Sequence, residues 1–542
     1  MRFSKEILRE HFIMKRNELR KVLSIAAITL MCITFTACGT NTGTVTEEST
    51  NITEDAAPEE STVPTDATNE EAPDDKPEGE MPEGETPPEK PDGEAPDGQA
   101  PDGEAHDGQG PNGAPGGATD GEAPGNPPEG GGGFGGGSSS ADIEYKAADE
   151  IAAADSQDGK NYDSSVADES ALMISTSEDV SISNATVTKT GDSDGGDSCN
   201  FYGLNAAVLV KDGSTTTITD STITSDADGA NGVFSYGGNG GKNGADGDGT
   251  KVIISDTTIT TKGDGSGGIM TTGGGITEAS NLTIETSGKS SAAIRTDRGG
   301  GTVTVDGGSY TTNGLGSPAI YSTADITVSN ATLTSNLSEG VCIEGINSII
   351  LNDCDMTASN TDTNGNATFY DTIMIYQSMS GDADSGTSTF TMNGGTLTSK
   401  NGHVFHVTNT QAVINLDNVK IVNEDSANVF LSVCADGWKG DSNVATVNAS
   451  NQTLDGTILV GSDSELTLNL TDGSDFTGAI DGNITNAKGE SVSTEVGTVS
   501  VSIDKSSTWT LTADTYITSF DGDMSSVNTN GYTLYVNGEA MN

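Results

Sequence analysis

Arginine, aromatic residues and positive charge are all scarce in this 542-residue chain. After Arg20 the only arginines are Arg295 and Arg298, and 81 acidic residues stand against 24 lysines and arginines, for a net charge of -57. Such a chain repels nucleic acid, because phosphates are bound by Lys and Arg side chains. Aromatic residues make up only 5%, whereas glycine occurs 71 times, which favours an elongated domain over one compact core. Neutral glycans, or anionic ones bridged by calcium, remain as partners.

Cysteine is also rare, with six in the chain. Cys32 and Cys38 lie in the N-terminal region, and the others are scattered without the spacing of a metal site or a disulfide framework. These others are Cys199, Cys342, Cys354 and Cys434. We expect the four thiols to be buried singly as small apolar groups.

Residues 1–38 have the pattern of a secretion signal. A basic cluster precedes an apolar run over residues 22–35, which is followed by Thr-Ala-Cys38-Gly. The run is shorter than the roughly 20 residues that span a bilayer, so a plain transmembrane anchor fits less well. The segment resembles bacterial lipoprotein signals. The resemblance implies that Cys38 is lipidated and holds the protein to the extracellular face of the cell membrane. Met14 lies just before the basic cluster, so it is an alternative start to Met1.

Residues 39–141 form an acidic segment rich in Pro and Gly, with prolines recurring every five residues at Pro77, Pro82 and Pro87. Such a segment cannot bury enough apolar surface to offset the entropy lost on ordering, so we predict a disordered linker. Its like charges and its prolines favour extended conformations. We interpret it as a spacer between the membrane and the following domain. Binding of cations or partners by the acidic repeats is the alternative.

Between residues 182 and 422, the chain repeats a pair of apolar residues five positions apart. The pair returns about every 23 to 26 residues, and Asn, Asp or Gly stands two positions after its first member. These residue types tolerate a left-handed backbone, so a bend separates two short strands in each repeat. The nine pairs are Ile182/Val187, Ile218/Ile223, Ile254/Ile259, Ala279/Ile284, Val305/Tyr310, Val328/Leu333, Leu351/Met356, Met392/Leu397 and Leu416/Ile421.

A third apolar run follows each pair after a polar loop, as in Val233-Phe234 and Ala319-Ile320. Three short strands per repeat, in which apolar residues alternate with Thr or Ser, predict an all-β fold: a right-handed parallel β-helix solenoid. One coil cannot bury its apolar residues alone, so the coils stack. We predict a β-helix domain over residues 142–542 with about 9–12 coils. The C-terminal stretch over residues 490–542 resembles the closing coils of bacterial surface solenoids, which implies that Trp509 covers the end of the core.

The longer repeats carry acidic, Gly-rich loops, which are candidate calcium sites. Calcium takes about six to eight oxygen ligands, and alternating carboxylates on a flexible loop suit it. The candidate ligands are Asp192, Asp194, Asp226, Asp228, Asp246 and Asp248. None of these loops matches an EF-hand, and a solvated turn is the alternative for each.

The same regions hold candidate glycan-binding aromatic residues, namely Tyr202, Tyr236, Tyr370 and Trp438. An exposed ring can stack on a sugar face, while neighbouring polar groups bond its hydroxyls. Rings that instead cap the core are the alternative.

Two pairs of charged or titratable residues stand out. Strand alternation places Arg295 and Asp297 on the same face, where a local ion pair is the simplest interpretation. His403 and His406 are three residues apart, so they are predicted to point to opposite faces and not to share a metal. Nucleophile elbows and phosphate loops are missing from the sequence.

The repeat over residues 182–422 resembles pectin-lyase-like right-handed β-helices, especially surface lipoproteins of Gram-positive bacteria described as adhesins or carbohydrate-binding proteins. The resemblance implies display and binding at a cell surface, although a fold alone does not fix a function. Pectate lyases share the fold and use Arg or Lys as base beside calcium, which implies Arg295 and Asp297 as candidate catalytic residues. The leading hypothesis is a monomeric, non-catalytic, membrane-anchored protein that binds polysaccharide or acts as an adhesin on a host or neighbouring cell surface. The alternatives are a calcium-dependent polysaccharide lyase and a structural coat protein.

Overall fold

The structure is a computed structural model that describes residues 143–240 and 246–541. The predicted signal of residues 1–38, the lipidated Cys38 and the linker of residues 39–141 lie outside the described residues. In the part that is described, no helix is long and apolar enough to cross a membrane.

Three long parallel sheets form the walls of a solenoid, and each coil contributes one strand to each wall in turn. Sheet A contains thirteen strands: Ala147–Ile151, Ser170–Ser175, Val208–Lys211, Val233–Tyr236, Ile269–Thr272, Ile294–Thr296, Ile320–Ser322, Val341–Glu344, Asp371–Tyr376, His403–Thr408, Val429–Val433, Thr457–Val460 and Ile480–Asp481. Sheet B contains fourteen strands: Asp155–Asp158, Val180–Ser183, Thr215–Thr219, Lys251–Ser255, Gly275–Ser280, Gly301–Asp306, Asp325–Ser329, Ser348–Asn352, Thr387–Asn393, Thr410–Asp417, Asn443–Ser450, Ser464–Thr471, Thr498–Ile503 and Ser519–Asp521. Sheet C contains ten strands: Asn161–Ser164, Thr186–Lys189, Thr222–Ser225, Thr258–Thr261, Thr283–Thr286, Ser309–Thr312, Thr332–Ser335, Asp355–Ala358, Thr396–Ser399 and Lys420–Asn423.

The remaining elements belong to the C-terminal coils and to one inserted loop. Sheet D consists of four parallel strands: Thr453–Asp455, Asp475–Thr477, Thr508–Thr510 and Val527–Asn528. An antiparallel hairpin pairs Asn483–Thr485 with Ser491–Thr494, and a final three-stranded sheet contains Thr515–Ile517, Leu534–Val536 and Glu539–Met541. The helix α1 spans Asp197–Tyr202, and a 3-10 turn spans Met524–Ser526.

The fold is the predicted all-β, right-handed parallel β-helix, with the handedness of nearly all parallel crossovers. Sheet B has fourteen strands, so the solenoid has more coils than the approximately 9–12 predicted from the sequence. The first coil does not show the pattern of apolar pairs, because Gln157, which aligns with Ile182 of the next coil, is polar. Two late coils do not show the five-residue spacing either. Their apolar pairs are six positions apart, namely Leu470 with Phe476 and Ile503 with Trp509.

The apolar pairs hold the register of the coils. Ile182 aligns with Ile218 and then Ile254 in sheet B, and the second members of the pairs align in the same way in sheet C. All nine bend residues have positive φ, from 49° at Asp256 to 73° at Gly307. Each bend therefore turns the chain from sheet B to sheet C while both apolar side chains point into the core.

The core runs the length of the solenoid as one continuous apolar column. The four expected thiols are free and buried, which confirms that interpretation. Trp509 is fully buried, its indole Nε1 donates to the carbonyl of Gly478 at 3.0 Å, and its ring stacks 5.7 Å from Phe476. It lies one coil short of the end, because Val527 of the next coil pairs with it.

Candidate functional site

The outer face of sheet A carries a row of side chains that inserted loops cover. The row is in register through six successive coils: Arg295, Tyr321, Cys342, Met374, His406 and Ser432. Arg295 is only 7% exposed, and His406 and Ser432 are fully enclosed. Polar groups that are shielded from solvent need hydrogen-bond or ion-pair partners within the protein, so pairs of side chains stabilise this face.

Arg295 and Asp297 form a buried ion pair with 2.7 Å between Nη2 and Oδ2. The Nη1 of Arg295 also donates to the carbonyl of Ser290 at 3.2 Å, and the guanidinium carbon lies 5.5 Å from the centre of the Tyr321 ring. Burial raises the pKa of Asp297 to about 7, although the charge of Arg295 opposes the shift. The ion pair interpretation is confirmed. A catalytic role for Arg295 as base would require it to leave these contacts.

Arg298 joins three parts of the chain that are distant in sequence. Its Nε and Nη2 donate to Oδ1 of Asp382 at 2.9 and 2.6 Å, across 84 positions. Its guanidinium carbon lies 4.2 Å from the centre of the Phe201 ring, which belongs to helix α1. Asp382 is 1% exposed, so the pair is a charge-assisted clamp between loops. The repeat pattern alone did not reveal this clamp.

Trp438 belongs to a second cluster, built around the carboxylate of Glu344. Tyr321 and Tyr376 donate to Glu344 Oε2 at 2.6 and 3.2 Å. The indole ring of Trp438 lies 4.8 Å from the ring of Tyr376 and is half-buried. Trp438 therefore covers a tyrosine-carboxylate network, and only part of its ring faces solvent.

The three tyrosines predicted to bind glycans differ in accessibility. Tyr202 and Tyr236 are 2% and 4% exposed and pack edge to face at 5.8 Å. Their ring faces are enclosed, so they close the apolar cluster over the early coils. Tyr370 is half-buried, at the end of the loop that carries Phe369.

His403 and His406 both contact one hydroxyl, contrary to the prediction that they point to opposite faces. Ser432 Oγ lies 2.7 Å from His403 Nδ1 and 2.8 Å from His406 Nδ1. The strand begins only at His403, so strict alternation does not yet apply there. On its other side, His406 Nε2 faces the carboxylate of Asp436 at 3.4 Å, and burial lowers the pKa of His403 to about 3.

The loop aspartates predicted as calcium ligands bond mainly to the protein itself. Asp192 accepts from the backbone N–H of Asp228 at 3.0 Å, and Asp228 accepts from that of Asp264 at 2.8 Å. These bonds form a ladder between coils.

The remaining four aspartates do not gather into a cluster. Asp226 pairs with Lys262 at 3.0 Å, and Asp248 accepts from the backbone and hydroxyl of Thr250. Asp194 and Asp246 are exposed. Among residues 143–240 and 246–541, no three His, Cys, Asp or Glu side chains are grouped to hold a metal.

An open groove of about 560 Å³ lies in the C-terminal coils, where no site was predicted. Exposed polar side chains line it: Asp481, Asn483, Thr494, Thr512 and Asp514. Tyr516 stands at the same groove, 49% exposed, and stacks on Tyr535 with ring centres 4.5 Å apart and planes at 5°. Strand alternation is the one sequence signal for this pair, since Thr515 and Ile517 point inward and leave Tyr516 facing out.

Comparisons with known proteins gave no match: no family model, no curated protein and no solved structure is similar to this chain.

Proposed function

We propose that this protein is anchored through a lipid on Cys38 to the extracellular face of a bacterial membrane. The linker of residues 39–141 projects the solenoid, which binds neutral polysaccharide without cleaving it. The observation that carries the binding role is the C-terminal groove with the exposed Tyr516 ring beside hydroxyl, amide and carboxylate groups. A flat aromatic face and convergent hydrogen-bonding groups in an open groove suit a sugar ring, which has an apolar face and polar edges.

Contacts at the groove hold the ring of Tyr516 in a fixed position. Tyr516 and Tyr535 lie on paired parallel strands in direct register, so each ring supports the other. Asp514 accepts from the backbone N–H of Thr533 at 2.8 Å, which ties the strand of Tyr516 to that of Tyr535. The stacking surface therefore needs little ordering when a ligand arrives, which lowers the entropic cost of binding.

Binding of the purified full chain to a panel of neutral and anionic polysaccharides, with and without calcium, tests this function. We expect retention of a neutral glycan, no unsaturated products, and roughly fivefold weaker binding by Tyr516→Ala, since ring stacking contributes about 1 kcal/mol. Tyr532→Ala is the matched control, because Tyr532 is 43% exposed but does not line the groove. Equal binding by both variants would contradict the site. Unsaturated products that Arg295→Ala abolishes would instead establish the lyase alternative.

A structural coat role is the second candidate, and an asparagine ladder favours it. The side-chain amide of Asn448 donates to Asn415 at 2.9 Å, and that of Asn469 donates to Asn448 at 2.8 Å. This regular polar stripe lies along the outside of sheet B and resembles a packing surface more than a groove. Absence of any glycan retention, together with ordered self-assembly of the full chain, would favour this candidate.

A further inference from the structure

Tyr516 and Tyr535 are held side by side in the C-terminal coils. They lie in direct register on the parallel strands Thr515–Ile517 and Leu534–Val536, so their side chains leave the sheet on the same side. Their ring centres are 4.5 Å apart, and the ring planes differ by only 5°. Tyr516 is 49% exposed and Tyr535 is half-buried, so small reagents in solvent reach these rings. We call these two residues the tyrosine pair.

The main chain is fixed on both sides of the tyrosine pair. The N–H of Thr533 donates to Asp514 Oδ1 at 2.8 Å, and the N–H of Asn537 donates to the carbonyl of Ile517 at 2.8 Å. The two strands are therefore held at the ordinary separation of about 4.8 Å. In a biaryl, one carbon–carbon bond and two ring radii separate the ring centres, which is close to the 4.5 Å found here. Coupling of the rings therefore needs them to rotate, without displacement of the strands.

Other contacts between tyrosines in the described residues lack this combination. Tyr202 and Tyr236 are buried and pack edge to face. Tyr376 is buried and shares the carboxylate of Glu344 with Tyr321. Of these three contacts, only the tyrosine pair combines a stacked geometry with access from solvent.

A covalent link at the tyrosine pair would be the first between coils of the described residues. The four cysteines there are free and buried, so no disulfide joins neighbouring coils. Leu534–Val536 is a strand of three residues, and it pairs only with the equally short strands Thr515–Ile517 and Glu539–Met541. Elements with few ladder bonds open more readily than the long strands of a solenoid. A bond between the two rings would tie this small sheet together.

We propose that the tyrosine pair is a site of oxidative cross-linking, at which a dityrosine bond joins Tyr516 to Tyr535. The oxidant is hydrogen peroxide, used by a haem peroxidase. Each phenol loses one electron and one proton, and the peroxide takes them up to form two molecules of water. The two phenoxyl radicals join through ring carbons ortho to their oxygens. Each joined carbon then loses its hydrogen as a proton, and each phenol oxygen regains one, so the product has two hydrogen atoms fewer than the unmodified chain.

The test treats the purified full chain with hydrogen peroxide and a haem peroxidase and analyses the monomeric fraction. Trypsin releases both tyrosines in one peptide, since no Lys or Arg follows Lys505. We expect this peptide to lose the mass of two hydrogen atoms and to acquire the fluorescence of dityrosine. Cleavage at Asp521 separates Tyr516 from Tyr535 in an unmodified peptide and leaves the two halves joined in a cross-linked one. The folded chain should couple roughly tenfold faster than the chain unfolded in urea, because the strands hold the rings together.

Two conservative variants locate the cross-link. Tyr516→Phe keeps an aromatic ring but has no phenol to oxidise, so it should not form the joined peptide. Tyr532→Phe is the matched control, because Tyr532 is 43% exposed and lies outside the tyrosine pair, and it should cross-link as the unmodified chain does.

The proposal is overturned if the joined peptide does not form, if Tyr516→Phe still forms it, or if Tyr532→Phe abolishes it. Equal rates of coupling in the folded and the unfolded chain would also overturn it, because the fold would then contribute nothing. These outcomes are independent of glycan binding at the Tyr516 groove.

Discussion

The side-chain amide of Gln452 makes two hydrogen bonds to the main chain of Val419, one coil earlier. Its Oε1 accepts from the N–H of Val419 at 2.8 Å, and its Nε2 donates to the carbonyl at 2.7 Å. Gln452 is 1% exposed. It therefore replaces a strand bond with a side-chain bond at the point where sheet C ends and sheet D begins.

Replacement of Gln452 by Leu should destabilise the solenoid. Leu keeps the size of the side chain but leaves both main-chain groups of Val419 buried without partners, at a cost of about 1–3 kcal/mol per group. Chemical denaturation should show a loss of roughly 2 kcal/mol or more in the free energy of unfolding. Gln411→Leu is the control, because Gln411 is exposed on a strand of sheet B. Equal effects of the two variants would refute the bridging role.

The clamp between Arg298 and Asp382 predicts that the loss of the arginine destabilises the protein more than neutralisation of the aspartate. Arg298→Met leaves a carboxylate that is 1% exposed without its partner, which should cost about 3–5 kcal/mol. Asp382→Asn leaves Arg298, whose side chain is 18% exposed and retains its contact with Phe201, and should cost less. Unfolding of both single variants and of the double variant measures the coupling. If the two single losses simply add in the double variant, the clamp is not a coupled pair.

Asp297 predicts a pH dependence of stability. Its folded pKa of about 7 lies above the ordinary value of 3.8, so the folded state holds the proton more tightly. The contribution to stability is fully present below the unfolded pKa and is lost as pH rises through about 7, with a slope of at most about 1.4 kcal/mol per pH unit. Asp297→Asn should remove this part of the slope in urea titrations at pH 4 to 7. An unchanged slope would show that Asp297 stays ionised beside Arg295.

Trp509 and Trp438 should respond differently to truncation. Trp509 is fully buried against Phe476, so Trp509→Ala should cost about 3–5 kcal/mol. Trp438 is half-buried in a loop and contacts chiefly the Tyr376 cluster, so Trp438→Ala should cost less. Denaturation monitored by circular dichroism compares the two losses. A larger effect at Trp438 would mean that the loop over sheet A, and not the C-terminal core, limits stability.

Cys38→Ser tests the membrane anchor. The unlipidated variant should move from the detergent phase to the aqueous phase in a detergent partition of cells expressing the full chain, because a lipid chain supplies the membrane affinity. Cys342→Ser is the control, since Cys342 is a buried free thiol of the solenoid. Retention of the Cys38 variant in the detergent phase would point to the apolar run over residues 22–35 as the anchor.

Strand alternation in the sequence predicted some contacts of the site residues correctly and others incorrectly. Alternation within one strand correctly paired Arg295 with Asp297, because both residues are local to one segment. It misplaced His403, which lies at the start of its strand and turns toward Ser432. It also could not show that Tyr202 would end helix α1 and pack against Tyr236, or that Asp382 would reach Arg298, because loop positions depend on distant coils.

The sequence by itself determined the solenoid: apolar residues five positions apart, with Asn, Asp or Gly between them, dictate two strands and a left-handed bend in each coil. Those constraints are local and repeat, so stacking follows from each coil's need to cover its neighbour's apolar face. Only the tertiary structure decided which outward residues are buried, where Tyr516 meets Tyr535, and where sheet C ends beside Gln452. These features depend on contacts between coils and inserted loops, whose geometry no periodic pattern specifies.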